Sequence, residues 1–188
     1  MLTLTEGNLL FHGSFTSINQ IDLSVCKNGK DFGKGFYLTT DYDQAKNFVP
    51  LTVKREIKAG ALPSDYSSGY VSVFRYLPAA PLEKYYFSEA DREWLHFVAA
   101  NRRGSLFPEL QEKLFAYDII GGKIANDRTA QTLQLYIAGA YGIPGSEAAD
   151  NIAISTLLPN RLQNQYCFKT QAAVNALHFL RSDEINVD

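Results

Sequence analysis

The chain has 188 residues, enough for one domain with a sizeable core and short for two. Its 46% apolar and 20% charged residues exclude a disordered chain, and a net charge of −2 leaves no footprint for nucleic acid in the totals. No apolar run approaches bilayer length, residues 1–6 lack the features of a signal peptide, and Cys26 and Cys167 have no metal spacing, so a cytoplasmic protein with free thiols and no membrane contact is expected.

Residues 8–14 are apolar and read as a short buried strand ending at His12-Gly13. A histidine there can cap the loop by hydrogen bonding. The functional alternative is a donor to a ribose hydroxyl, since neutral imidazole carries one donor and one acceptor. Residues 18–31 are polar, with a turn signal at Asn28-Gly29-Lys30, and read as a mobile connection. They lead into Asp31-Phe32-Gly33-Lys34-Gly35-Phe36-Tyr37-Leu38-Thr39-Thr40. Glycine lets a ligand or another strand approach the backbone, and residues 36–39 read as a strand. This stretch serves either as a turn feeding a core strand or as a turn beside which a flat ring lies on Tyr37. Asp41 is an N-cap for a helix over 42–49, with Ala45, Phe48 and Val49 inward and Pro50 as its stop. Residues 51–58 are ambiguous and 60–69 read as loop. Residues 70–76 alternate as a strand, and 83–87 form a second short one.

Ser88 to Asp91 begin a helix that runs to about Arg102, with Trp94, Phe97 and Val98 as its buried face. Arg102-Arg103-Gly104 end it, the cations complementing the helix dipole. Residues 117–122 read as a buried strand stopped by two glycines. Asp127 either caps a helix over 129–141 or projects, with Asn126 and Arg128, from a strand end into a cleft. A helix over 146–158, a strand over 163–169 and a final helix over 171–181, capped by Thr170 and burying Ala173, Leu177 and Leu180, complete the chain. His96 and His178 fall on helical segments and are given no chemical role. The alternation and glycine fingerprint of a dinucleotide Rossmann fold are missing, as are a phosphate loop and a zinc array, so the composite points to α+β.

Three segments resemble the ADP-ribosyltransferase superfamily, in its poly(ADP-ribose) polymerase and diphtheria-toxin branch. They are Phe11-His12-Gly13-Ser14, Gly33-Lys34-Gly35-Phe36-Tyr37 and Asn164-Gln165-Tyr166-Cys167-Phe168. The chain resembles more closely an uncharacterised bacterial family with this fold, through Leu10 to Ser14, Asp31 to Thr39, Trp94 to Phe97 and Ala125 to Arg128, in order. The resemblance implies a single domain over 1–188. It implies an α+β fold with a split β core of two facing sheets, peripheral helices, and NAD held as substrate in the cleft between the sheets.

By that resemblance, His12 bonds the adenosine ribose, the Gly13 main chain bonds the nicotinamide amide, Tyr37 stacks on the nicotinamide, and Ser14 and Gly35 count among the NAD-binding residues. Stacking of this kind is worth roughly 1–3 kcal/mol, so Tyr37 would position more than it catalyses. Lys34 and Arg128 would meet the pyrophosphate as cations. The superfamily normally places Glu where this chain has Gln165. A neutral amide can hold a ribose hydroxyl but brings no full charge and cannot act as a base. Asp127 is the expected source of the missing carboxylate, which makes Gln165, Tyr37 and Asp127 the expected catalytic set. The implied activity is transfer of one ADP-ribose to a protein or nucleic-acid acceptor, as by a toxin paired with an antitoxin protein or used in phage defence. Gln165 points equally to an inactive module that binds NAD or ADP-ribose, and a third reading is an α+β protein unrelated to NAD.

Overall fold

The computed structural model describes residues 3–124, 127–157 and 163–187; the side chains of residues 127 and 128 fall outside that description. The described residues form a mixed α and β structure with two sheets and six α-helices. The first sheet has the order β1-β3-β7, from β1 (Leu9–Ser14), β3 (Ser68–Tyr76) and β7 (Leu177–Asn186), all antiparallel. The second has the order β2-β6-β5-β4, from β2 (Phe36–Leu38), β4 (Lys84–Tyr86), β5 (Ile119–Lys123) and β6 (Asn164–Phe168), with only β4 and β5 parallel.

Period-two alternation sorts the side chains of the second sheet onto two faces. Phe36, Leu38, Ile119, Tyr166 and Phe168 join Leu10, Phe74, Tyr76 and Leu177 of the first sheet in one buried cluster, so the two sheets share a core. Ile120 and Cys167 point the other way, into a cluster with Trp94, Phe97, Leu133, Tyr136 and Ala153 of the helices. Those helices are α2 (Arg92–Arg102), α3 (Pro108–Phe115), α4 (Asp127–Ile137) and α5 (Glu147–Leu157). On the far side of the first sheet, α1 (Tyr42–Lys58) packs Ala45, Val49 and Val53 on Val71. The sheets are also stitched at one point, where Phe11 and Thr39 exchange backbone hydrogen bonds of 2.8 and 3.0 Å.

Several elements depart from expectation. Helix α1 continues through Pro50, where a stop was expected. Proline removes a backbone bond and crowds the preceding turn, but Val49, Thr52 and Val53 around it are buried, and that packing carries the helix on. Phe48, expected inside, is 44% exposed. Helix α3 was not foreseen, and α4 starts two residues before the expected 129 and ends at Ile137. The expected helix 171–181 is only α6 (Gln171–Asn175); β7 follows at Leu177 and pairs with β3 along its whole length. The spacing of Ala173, Leu177 and Leu180 fits a helix locally, yet β3 needs a second partner and takes this segment as a strand. His178 is therefore on a strand, not on a helix. Among the described residues no helix is long and apolar enough to cross a membrane.

Candidate functional site

The site is built where the two sheets touch. His12 lies within β1 rather than at its end, since the strand runs on to Ser14. Its Nδ1 lies 2.8 Å from the main-chain oxygen of Tyr37, and its ring packs on Phe36 at 4.4 Å between centroids. An acceptor at that nitrogen requires the Nδ1–H tautomer. Burial pushes the imidazole below its ordinary pKa, against the raising effect of this bond, so it is neutral at pH 7.

Tyr37 sends its side chain to the opposite face of β2, among the helices. Its hydroxyl accepts from the Phe32 N–H at 2.9 Å and donates to the Gly33 carbonyl at 2.7 Å. Its ring runs near parallel to Phe32, 6.5 Å away. The phenol thus closes the turn that precedes its own strand, and burial holds its pKa well above the ordinary tyrosine value. The structure joins His12 to the Tyr37 backbone; the imidazole and the phenol ring face different neighbours.

Gln165 sits on the same face as Tyr37. Tyr37 pairs with Cys167, and Gln165 is two residues before Cys167 on β6. The residue is buried, with 7% of its surface exposed, and Nε2 donates to Asp31 Oδ2 at 3.0 Å. The other carboxylate oxygen, Asp31 Oδ1, accepts from Arg102 Nε at 2.9 Å and Nη2 at 2.6 Å. Asn101 from the same helix donates to the Asp31 carbonyl at 3.2 Å. The result is a buried chain of contacts, Gln165 to Asp31 to Arg102, spanning β6, the glycine-lysine-glycine stretch and the end of α2. Beside Gln165, Asn164 Oδ1 is buried without a hydrogen-bond partner among the described residues.

The glycines have steric reasons to be there. A Cβ on Gly13 would lie 2.1 Å from the Ala45 carbonyl oxygen of α1. One on Gly35 would lie 2.5 Å from Cys167 Sγ and 2.7 Å from the Phe168 carbonyl oxygen. Ser14, which follows Gly13, is buried at the end of β1 opposite Tyr70. Lys34 is exposed and its Nζ reaches the Ser24 carbonyl at 3.4 Å. Asp127 and Arg128 open α4, but their side chains, like residues 125 and 126, lie outside the described residues.

Two residues of this cluster carried no expected role. Asp31 heads the glycine-lysine-glycine stretch and was read as part of a loop; its partners, 71 and 134 residues away, leave no local signature. Arg102 was read as a complement to the helix dipole, and its distant partner has no local signature. Arg102 also lines a cavity of about 380 Å³ with Arg103, Gly29, Gln134, Ile137 and Ala138. None of His12, Tyr37 or Gln165 lines it. No group of three or more His, Cys, Asp or Glu side chains among the described residues is placed to hold a metal ion.

No curated protein and no solved structure matches the chain. A family model described as a protein of unknown function, DUF3990, matches residues 9–179, a span that contains every element of the site from β1 to β6. The chain belongs to the DUF3990 family.

Proposed function

We propose that the protein is an NAD-dependent mono-ADP-ribosyltransferase with an ADP-ribosyltransferase-like fold. The observation that supports this reading best is that three distant segments meet through their backbones, while the His12 imidazole and the Tyr37 phenol face different neighbours. His12 from one sheet is bonded to the backbone of Tyr37 in the other, and Gln165 lies on the neighbouring strand, near the Phe11–Thr39 backbone bridge between the sheets. In this reading the bond between the ribose C1′ and the nicotinamide nitrogen breaks. Nicotinamide leaves neutral with the electron pair, and an acceptor nucleophile on a protein or nucleic acid bonds to C1′ and loses its proton to solvent. Positive charge builds on the ribose as the bond stretches, and an aimed acceptor such as the Gln165 carbonyl oxygen stabilises it. The acceptor is a macromolecule, as for a toxin held in check by an antitoxin.

A second reading, a module that binds NAD or ADP-ribose without cleaving it, is favoured by Gln165 itself, which carries no charge. Incubation with NAD and measurement of free nicotinamide separates the two. Release above the buffer rate, with ADP-ribose adducts found by mass spectrometry after expression in cells, is the expected result. Stabilisation by NAD without release supports the module, and no stabilisation at millimolar NAD removes both.

A further inference from the structure

The Gln165 amide has one end that donates and one that accepts, and Asp31 decides which end goes where. An ionised carboxylate only accepts. The amide must therefore turn its Nε2 to Asp31, as the 3.0 Å contact shows, and its Oε1 is directed elsewhere. Arg102 holds the other carboxylate oxygen through two nitrogens, which fixes the carboxylate in turn. A glutamate at position 165 would set two carboxylates face to face at about the same separation, a pair that cannot both ionise at low cost.

We propose that Asp31 is the positioning residue of the site, holding Gln165 by its amide nitrogen so that the carbonyl oxygen is the group offered to the sugar. The negative charge that position 165 lacks then stands behind it, at position 31, and polarises the amide toward a more negative oxygen. This rests on the reading of the site as one for NAD. It also gives a physical reason for Gln165: the amide is the partner that a fixed carboxylate accepts, where a second carboxylate would be repelled.

Among the described residues, the titratable and charged groups that bear on Asp31 include Arg102 on α2, Lys30 in its own loop, Tyr37 on β2 and Cys167 on β6. Burial pushes the Cys167 thiol up to about 12 and the Tyr37 phenol well above its ordinary value, so neither titrates between pH 5 and 8. A pH-dependent change that Gln165→Glu creates in that range and Asp31→Asn removes belongs to the new carboxylate pair.

The test uses the full chain and three variants: Gln165→Glu, Asp31→Asn and the double variant. Melting temperature is followed from pH 5 to 8, and nicotinamide release is measured with NAD. In Gln165→Glu the folded pair retains a proton that the unfolded chain has given up, so its stability falls as pH rises. The expected result is a melting temperature near that of the wild type at pH 5, well below it at pH 8, and restored at pH 8 by adding Asp31→Asn. Asp31→Asn alone is expected to lower kcat about tenfold or more, the usual scale for a lost orienting partner, with KM within about twofold. A Gln165→Glu variant whose melting temperature tracks the wild type at every pH overturns the proposal, as does a double variant that rescues nothing. An Asp31→Asn variant with wild-type kcat overturns the proposal; should that variant fail to fold, Asp31→Glu, which shifts the carboxylate by one methylene, takes its place with the same expected loss of kcat. A wild type that neither binds nor cleaves NAD overturns the NAD reading and Asp31's part in it, even where the pH crossover reveals the pair. An NAD-cleaving wild type without the crossover overturns the Asp31 proposal alone.

Discussion

Tyr37 was expected to offer its ring; its hydroxyl does structural work as well. It both donates and accepts inside the turn at residues 32–33, so Tyr37→Phe leaves the buried Phe32 N–H without an acceptor. The expected cost is about 1–3 kcal/mol, measured as a shift in the urea midpoint. His12 yields a prediction on pH. Its folded pKa lies below the unfolded value because burial penalises the cation. The unfolded chain therefore takes up a proton first as pH falls, and this contribution to stability is complete above the unfolded pKa and lost as pH drops through the folded one. Between pH 7.5 and about 5.5 the wild type should lose more stability than His12→Gln; parallel denaturation curves for the two would show that His12 is not the group responsible. Both residues stand in motifs visible in the sequence. What each side chain bonds to was not visible, because the partners are backbone groups set by the pairing of strands.

The layers meet through close contacts between elements, and one of them is at Gly13. Helix α1 lies so near β1 that a methyl group on Gly13 would run into the Ala45 carbonyl, which is backbone and cannot rotate away. Gly13→Ala should cost at least about 1–3 kcal/mol, the usual range for overpacking, and lower the melting temperature accordingly. The helical layer has its own tie in Asp150 of α5, which is fully buried. Its carboxylate accepts from the Tyr136 hydroxyl of α4 at 2.6 Å, lies 2.8 Å from His96 Nε2 of α2, and pairs with Arg92 of α2 at 3.1 Å. His96, given no role from sequence, also stacks on Phe107 at 4.0 Å. Removing one partner of a buried pair costs about 3–5 kcal/mol; the half-exposed Arg92 places Asp150→Ala toward the lower end of that range. Calorimetry should find that loss while the Gln165–Asp31 pair stays intact. Strand and helix types for most of the chain were readable from period and caps. The errors at Pro50 and at β7 share one cause: the deciding contacts are with elements far away in sequence.

At the scale of the molecule, the order of strands is what makes a site possible. β7, the last strand, is one of the two partners of β3, and Leu177 contributes to the core shared by both sheets. A chain ending after Ala176 should leave β3 with an open edge and lose cooperative unfolding, seen as a broad or missing thermal transition and as aggregation. The sequence by itself determined the α+β class, the glycine-lysine-glycine turn and strand, and the capped helix that carries Trp94. Those are local matters, set by periodicity, caps and turn chemistry within a few residues. Only the tertiary structure decided that Asp31 and Arg102, 71 residues apart, meet beside Gln165, itself 134 residues from Asp31. A carboxylate is the same in any sequence until folding fixes which donors surround it, and in this chain that choice follows from how the sheets and α2 pack.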